Sequence, residues 1–85
     1  MKLNVYSVKD VKVAFLQPFF MQNNALAHRA FVSTINTPGN PIAQYPQDHE
    51  LWHIGTFDDE TGLLTPCKPQ LLFLGSDLKE VKPHA

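Results

Sequence analysis

Hydrophobic and polar residues alternate over Lys2–Val8, with Leu3, Val5 and Ser7 on one parity and Asn4, Tyr6 and Val8 on the other. β-branched and aromatic types dominate, so the stretch predicts a strand. Lys9-Asp10 is polar and turns the chain, and Val11–Leu16 is a second short extended run. Pro18 removes a ladder donor and holds Gln17 extended, so Gln17–Met21 is expected as an apolar connection tucked against the next element. The period then changes. Ala27, Ala30, Phe31, Thr34 and Ile35 recur at one-face helical spacing within Ala25–Thr37, a segment free of Gly and Pro. Asn23 or Asn24 supplies the N-cap, and Thr37-Pro38-Gly39-Asn40-Pro41 stops the helix. Pro41–Asp48 has room for one short helical turn.

The clearest local pattern is Glu50–Thr65. An alternating run with Trp52, Ile54 and Phe57 meets Asp58-Asp59-Glu60-Thr61-Gly62, and a new apolar run starts at Leu63. Asp side chains close a type I turn and Gly takes the positive φ that opens the return strand, so this is a β-hairpin. Pro66 and Pro69 are expected to interrupt its continuation and to mark an edge. Leu71–Leu74 forms a last strand or a segment packed on a partner, and Gly75 ends it. The sum is α+β: a small antiparallel sheet with one main helix on a face. Residues 1–75 make one domain, and 76–85 are expected as a polar, flexible tail.

Composition changes this picture little. Eighty-five residues bury only about 60–65% of their unfolded surface, so the core is marginal and homodimer formation would strengthen it. One cysteine, Cys67, excludes an intrachain disulfide framework and a Cys-based zinc site. No apolar run reaches the roughly 20 residues that span a bilayer, and the first residues lack a signal-peptide core, so the expected address is cytoplasmic, with no membrane partner. The net charge of −1 opposes attraction of the whole surface to nucleic acid. Its distribution is uneven: Lys2, Lys9, Lys12 and Arg29 face Asp10 alone up to Asn40, whereas Pro41–Gly62 holds Asp48, Glu50, Asp58, Asp59 and Glu60 without a Lys or Arg.

Candidate chemistry is sparse. His49 and His53 stand about 13 Å apart on a strand, too far for one ion, so two partly exposed strand histidines are the simpler reading. His28-Arg29 could meet a phosphate, though such pairs usually form the solvated side of a helix. A turn accounts for Asp58, Asp59 and Glu60 without catalysis. Cys67 lies among prolines with no helix N-terminus to activate it, and the four glycines form no phosphate loop. No catalytic residue, metal site or cofactor is therefore expected, and the chain reads as a non-enzyme. Aromatics interleaved with cations permit a single-strand-binding surface: Lys2, Lys9, Lys12 and Arg29 would meet phosphates, and Tyr6 and Phe20 would stack on bases. The competing reading puts most aromatics in the core and gives Phe19-Phe20-Met21 to a protein interface.

Three segments in order carry a family resemblance: Met1-Lys2-Leu3-Asn4-Val5-Tyr6-Ser7-Val8, then Leu16–Met21 ahead of Arg29-Ala30-Phe31, then Phe57–Gly62. Over about residues 1–65 the chain resembles the small non-structural protein of gokushoviruses, the single-stranded DNA phages of the Microviridae. That resemblance implies a DNA-binding accessory role in host cytoplasm, in genome replication or in the switch from replication to packaging. It carries no catalytic residues. A protein-interaction factor contacting the replication initiator or procapsid without touching DNA is the alternative. A continuous basic groove would favour DNA; scattered lysines beside an exposed apolar patch would favour protein contact.

Overall fold

The computed structural model describes residues 1–80. Its hub is β1 (Lys2–Asp10), which pairs antiparallel with three other strands. On one side lie β2 (Ala14–Phe15) and β3 (Phe19–Met21), end to end; on the other lies β4 (His49–Asp58), followed by β5 (Leu64–Leu74) at the far edge. Helix α1 (Asn24–Ile35) crosses one face, and two four-residue helices, α2 (Pro41–Gln44) and α3 (Gly75–Leu78), pack around its end. The α+β class expected from the sequence is the observed one.

Local chemistry explains most boundaries. Asn23 caps α1, its Oδ1 accepting from the Leu26 N–H at 2.9 Å. The expected stripe holds: Ala27, Phe31 and Ile35 are buried against Tyr6, Val8 and Leu51 of the sheet, with Ala30 and Thr34 half-buried beside them. Asn40 caps α2 in the same way through the Ala43 N–H. The hairpin turns where the acidic run stands, with Gly62 at φ 77° and the Asp58 N–H donating to Leu63 O.

Several expectations need correction. Val11–Leu16 is not one extended run: Val11–Val13 turn, because Asp10 accepts the Lys12 N–H with its carboxylate and the Val13 N–H with its carbonyl. Gln17–Met21 is more than a connection, since Phe19–Met21 pair with β1 in the register Val5↔Phe20. Pro66 and Pro69 do mark an edge, yet they do not interrupt β5. The ladder absorbs them in a bulge that sets Cys67–Pro69 opposite Ile54 alone, between the pairs His53↔Gln70 and Gly55↔Pro66. Leu71–Leu74 is thus the second half of β5 rather than a separate strand. His49, expected to be partly exposed, is buried, its Nδ1–H donating to Tyr45 O at 2.7 Å.

The C-terminal boundary also moves. Residues 76–80 were expected in the tail, but the chain folds back after Gly75. Asn36 donates from its side chain to Leu78 O, and Asn36 Oδ1 accepts the Glu80 N–H at 2.8 Å. The Lys79 ammonium donates to Ile35 O and Ala43 O, placing a cation on carbonyls at the end of a helix that has no basic residue in its own last turn. The remainder of that expected tail, 81–85, lies outside the described residues.

Candidate functional site

Antiparallel partners share a face, so the register sorts the sheet's side chains. The pairs Tyr6↔His53, Tyr6↔Phe19 and Val8↔Leu51 face α1. The pairs Lys9↔Phe15, Val5↔Phe20, Ser7↔Trp52, Leu3↔Phe57, Trp52↔Leu71 and Phe57↔Leu64 face the other way, where no described element covers the sheet. That bare face is apolar. Phe15 meets Trp52 edge-on at 5.7 Å between centroids, and Phe20 meets Phe57 at 5.3 Å. Phe20 and Leu71 are each 46% exposed and Leu64 is 59% exposed. At its paired positions the charged residues are Lys9 and Glu50, which stand opposite each other. The Lys9 ammonium lies 5.2 Å from the Phe15 ring centre and 5.5 Å from that of Trp52, while Glu50 accepts the Trp52 indole N–H at 3.1 Å.

The residues assigned to nucleic acid are not brought together. Lys9 and Phe20 lie on the bare face. Tyr6 does not: it is fully buried under α1, its hydroxyl donates to Asn24 Oδ1 at 2.6 Å and accepts from Asn4, and Phe19 and His53 flank its ring. No base can stack on it. Its parity in β1 is opposite to that of the residue paired with Phe20, which is the physical reason the two were wrongly grouped. Lys2 pairs with Asp58 at one end of the sheet and Lys12 stands in the turn at the other end. Arg29 is exposed on α1, across the sheet from the bare face. Near Lys9 and Lys12 stand Asp10, Asp48 and Glu50, so this corner carries no surplus of positive charge.

Sequence reading missed Phe15, Trp52, Phe57, Leu64 and Leu71 as one surface. The usable signal was parity: Leu3, Val5, Ser7 and Lys9 step along one face of β1, and cross-strand partners follow. On β4 the bulges reset that count, which hid the alignment of Trp52 with Phe57.

The acidic tip has structural employment. The backbone N–H groups of Glu60 and then Thr61 hold the Asp58 carboxyl below its usual range, and the terminal ammonium at Met1 is pushed up by its hydrogen bond to Asp59 at 2.8 Å. A lowered carboxyl favours folding above its unfolded value of 3.8, and the contribution fades as pH falls through the folded value. A raised amine favours folding below its unfolded value of 8.0, and that contribution fades as pH rises through the folded value. Carboxyl-resolved NMR titration is expected to find Asp58 below ordinary aspartates, and rising salt is expected to weaken the Met1–Asp59 pair, which is solvent-exposed.

Cys67 lies 3.9 Å through Sγ from His53 Nδ1, while His53 Nε2–H donates to Gly55 O. Residues 14 apart meet here only because β4 and β5 pair. Among the described residues, no group of three or more His, Cys, Asp or Glu side chains is placed to hold a metal ion. No helix among them is long and apolar enough to cross a membrane.

Fold and face together define a small single-domain α+β protein with one sheet face under a helix and the other bare. Its family follows from comparison: the family described as Phage ORF5 protein matches residues 3–78, so the chain belongs to that family and is a phage protein. The match runs beyond the hairpin, through β5 and α3, and so extends past the residues that carried the resemblance in the sequence. No curated protein and no solved structure matches the chain.

Proposed function

We propose that this phage protein is a non-enzymatic accessory factor that acts by protein contact through the bare sheet face. The observation that carries the reading is the separation of the cations. Lys2 and Lys12 sit at opposite ends of the sheet and Arg29 lies across it, while the surface between them is aromatic and aliphatic. Phosphate tracking needs a continuous run of uncompensated cations, and an apolar patch of this kind is what a protein interface uses. The likeness to gokushovirus non-structural proteins supports a place in host cytoplasm, in genome replication or the turn to packaging, with the replication initiator or procapsid as partners.

A second reading has its own support. The Lys9 ammonium beside the Phe15 and Trp52 rings offers one phosphate contact next to two stacking surfaces, the elements of a weak single-stranded DNA site. Trp52 reports on the choice, because any base stacked at this corner alters its fluorescence. Titration with an unstructured oligonucleotide at low salt is expected to leave Trp52 emission and labelled-DNA anisotropy unchanged. Salt-sensitive binding abolished by Lys9→Glu would replace protein contact by the DNA reading. In the phage carrying this gene, Leu71→Lys is expected to reduce plaque yield and Arg29→Glu to leave it unchanged. Wild-type yield from Leu71→Lys would overturn both readings of the face.

A further inference from the structure

We infer that the occupant of the bare face is a second copy of this chain, packed sheet to sheet across a two-fold axis. This rests on the contact reading above and names its partner. Area is the first argument. Phe15, Phe20, Leu64, Leu71 and Leu74 are 44, 46, 59, 46 and 39% exposed and lie on this face by register. Together they present about 450 Å² of apolar surface per chain, against about 800 Å² per partner in a standard interface of which somewhat over half is apolar. The patch is therefore the size of a whole interface core.

Charge is the second argument. A two-fold axis presses a surface against itself, so any net charge on it meets the same charge. Here, at the paired positions of the face, Lys9 and Glu50 cancel and each already has a partner, the rings for one and the indole N–H for the other. A face of this kind can meet its own copy without repulsion or an unpaired buried ion. A nucleic acid or an anionic lipid surface would instead need cations to spare.

Layering is the third. Val5 and Ser7 of β1 are buried on this face within the single chain. The rings of Phe15 and Trp52, and of Phe20 and Phe57, meet there from the strands on either side of β1, so the face is topped by apolar rings rather than by polar side chains built for water. A second sheet at about 10 Å would cover these half-exposed side chains. Gly55, between Trp52 and Phe57, is buried against β5, where a Cβ would stand 2.7 Å from Thr65 O, so no side chain there interrupts the apolar surface.

Sedimentation equilibrium of the full chain over a wide concentration range tests the inference. Twice the chain mass is expected, with the dimer Kd raised more than about tenfold by Leu71→Lys and by Phe20→Lys, and unmoved by Arg29→Glu. Circular dichroism checks that the variants stay folded; both substituted side chains are already half in water. A chain monomeric at every concentration overturns the inference, as does a dimer indifferent to both lysine variants. The two levels separate cleanly. A monomeric chain whose Leu71→Lys variant still loses plaque yield defeats self-association and keeps protein contact with another partner. A monomeric chain whose variant gives normal yield defeats both.

Discussion

Gly75→Ala is expected to destabilise the protein by about 3 kcal/mol or more, the scale of a severe overpacking. The sign is what makes the variant informative. Within a helix this exchange ordinarily stabilises, by roughly 0.5–1 kcal/mol, because alanine gives up less backbone freedom. Here a Cβ would stand 2.3 Å from Pro46 O, 2.7 Å from Ile35 Cδ1 and 2.8 Å from His49 O. Ile35 can rotate, but the two carbonyls belong to backbone that cannot step aside alone. The strain has to be relieved by lifting α3 away from the start of β4. The contacts that follow Gly75 would loosen with it, including Asn36 to Leu78 O and Lys79 to Ile35 O. Chemical denaturation measures the loss, and hydrogen exchange should locate it at the end of α1 and in residues 75–80. Exposed Ser76 is the control, its change to Ala expected to stay within about 0.5 kcal/mol. A neutral Gly75→Ala would mean that α3 does not sit against Pro46 and His49 in solution.

Phe31→Ala is expected to cost about 4 kcal/mol, within the range for emptying a buried aromatic site. Phe31 is 2% exposed and belongs to a core of only six mutually packed buried residues, three from α1 and three from the sheet. Few neighbours are free to collapse into the void, since β1 and β4 are fixed by their ladder. At about 0.05–0.15 kcal/mol per residue, a chain of this length holds about 4–13 kcal/mol in all, so the variant should be largely unfolded at the low end of that range. The measurement is the denaturation midpoint by circular dichroism, with Val13→Ala as the reference, because Val13 is 78% exposed in the β1–β2 turn. A loss below about 1.5 kcal/mol would show that the helix-side core is not what holds the sheet.

How much of this was readable beforehand depended on the range of the interactions involved. The α1 stripe of Ala27, Phe31 and Ile35 is set by spacing within twelve residues, and the sequence carried it. So was the hairpin tip, where Asp58 and Gly62 satisfy local geometry. The pairing of Phe20 with Val5, and of Trp52 with both Ser7 and Leu71, depends on register between distant strands. Bulges at Val5/Tyr6 and around Ile54 shift that register without a local signature. Tyr6 was therefore assigned to a surface it cannot reach, and Leu71 was separated from the face it completes. Gly75 read as a stop because glycine ends strands, whereas its role here is to let two segments touch. The cations were identified as residues, but their dispersal depended on the topology.

β1 also has a consequence for synthesis. Its ladder with β4 joins the first residues of the chain to residues about 40–55 positions later, from Asp10↔His49 to Lys2↔Asp58. A ribosome adding roughly 5–20 residues per second leaves β1 waiting for several seconds, with Tyr6 and Val8 unprotected. Closure of the helix-side core then awaits Leu72, Phe73 and Leu78, which pack against it from the last part of the described chain. An early stop codon yields no smaller working unit, because every truncation before β5 removes a wall from the same core.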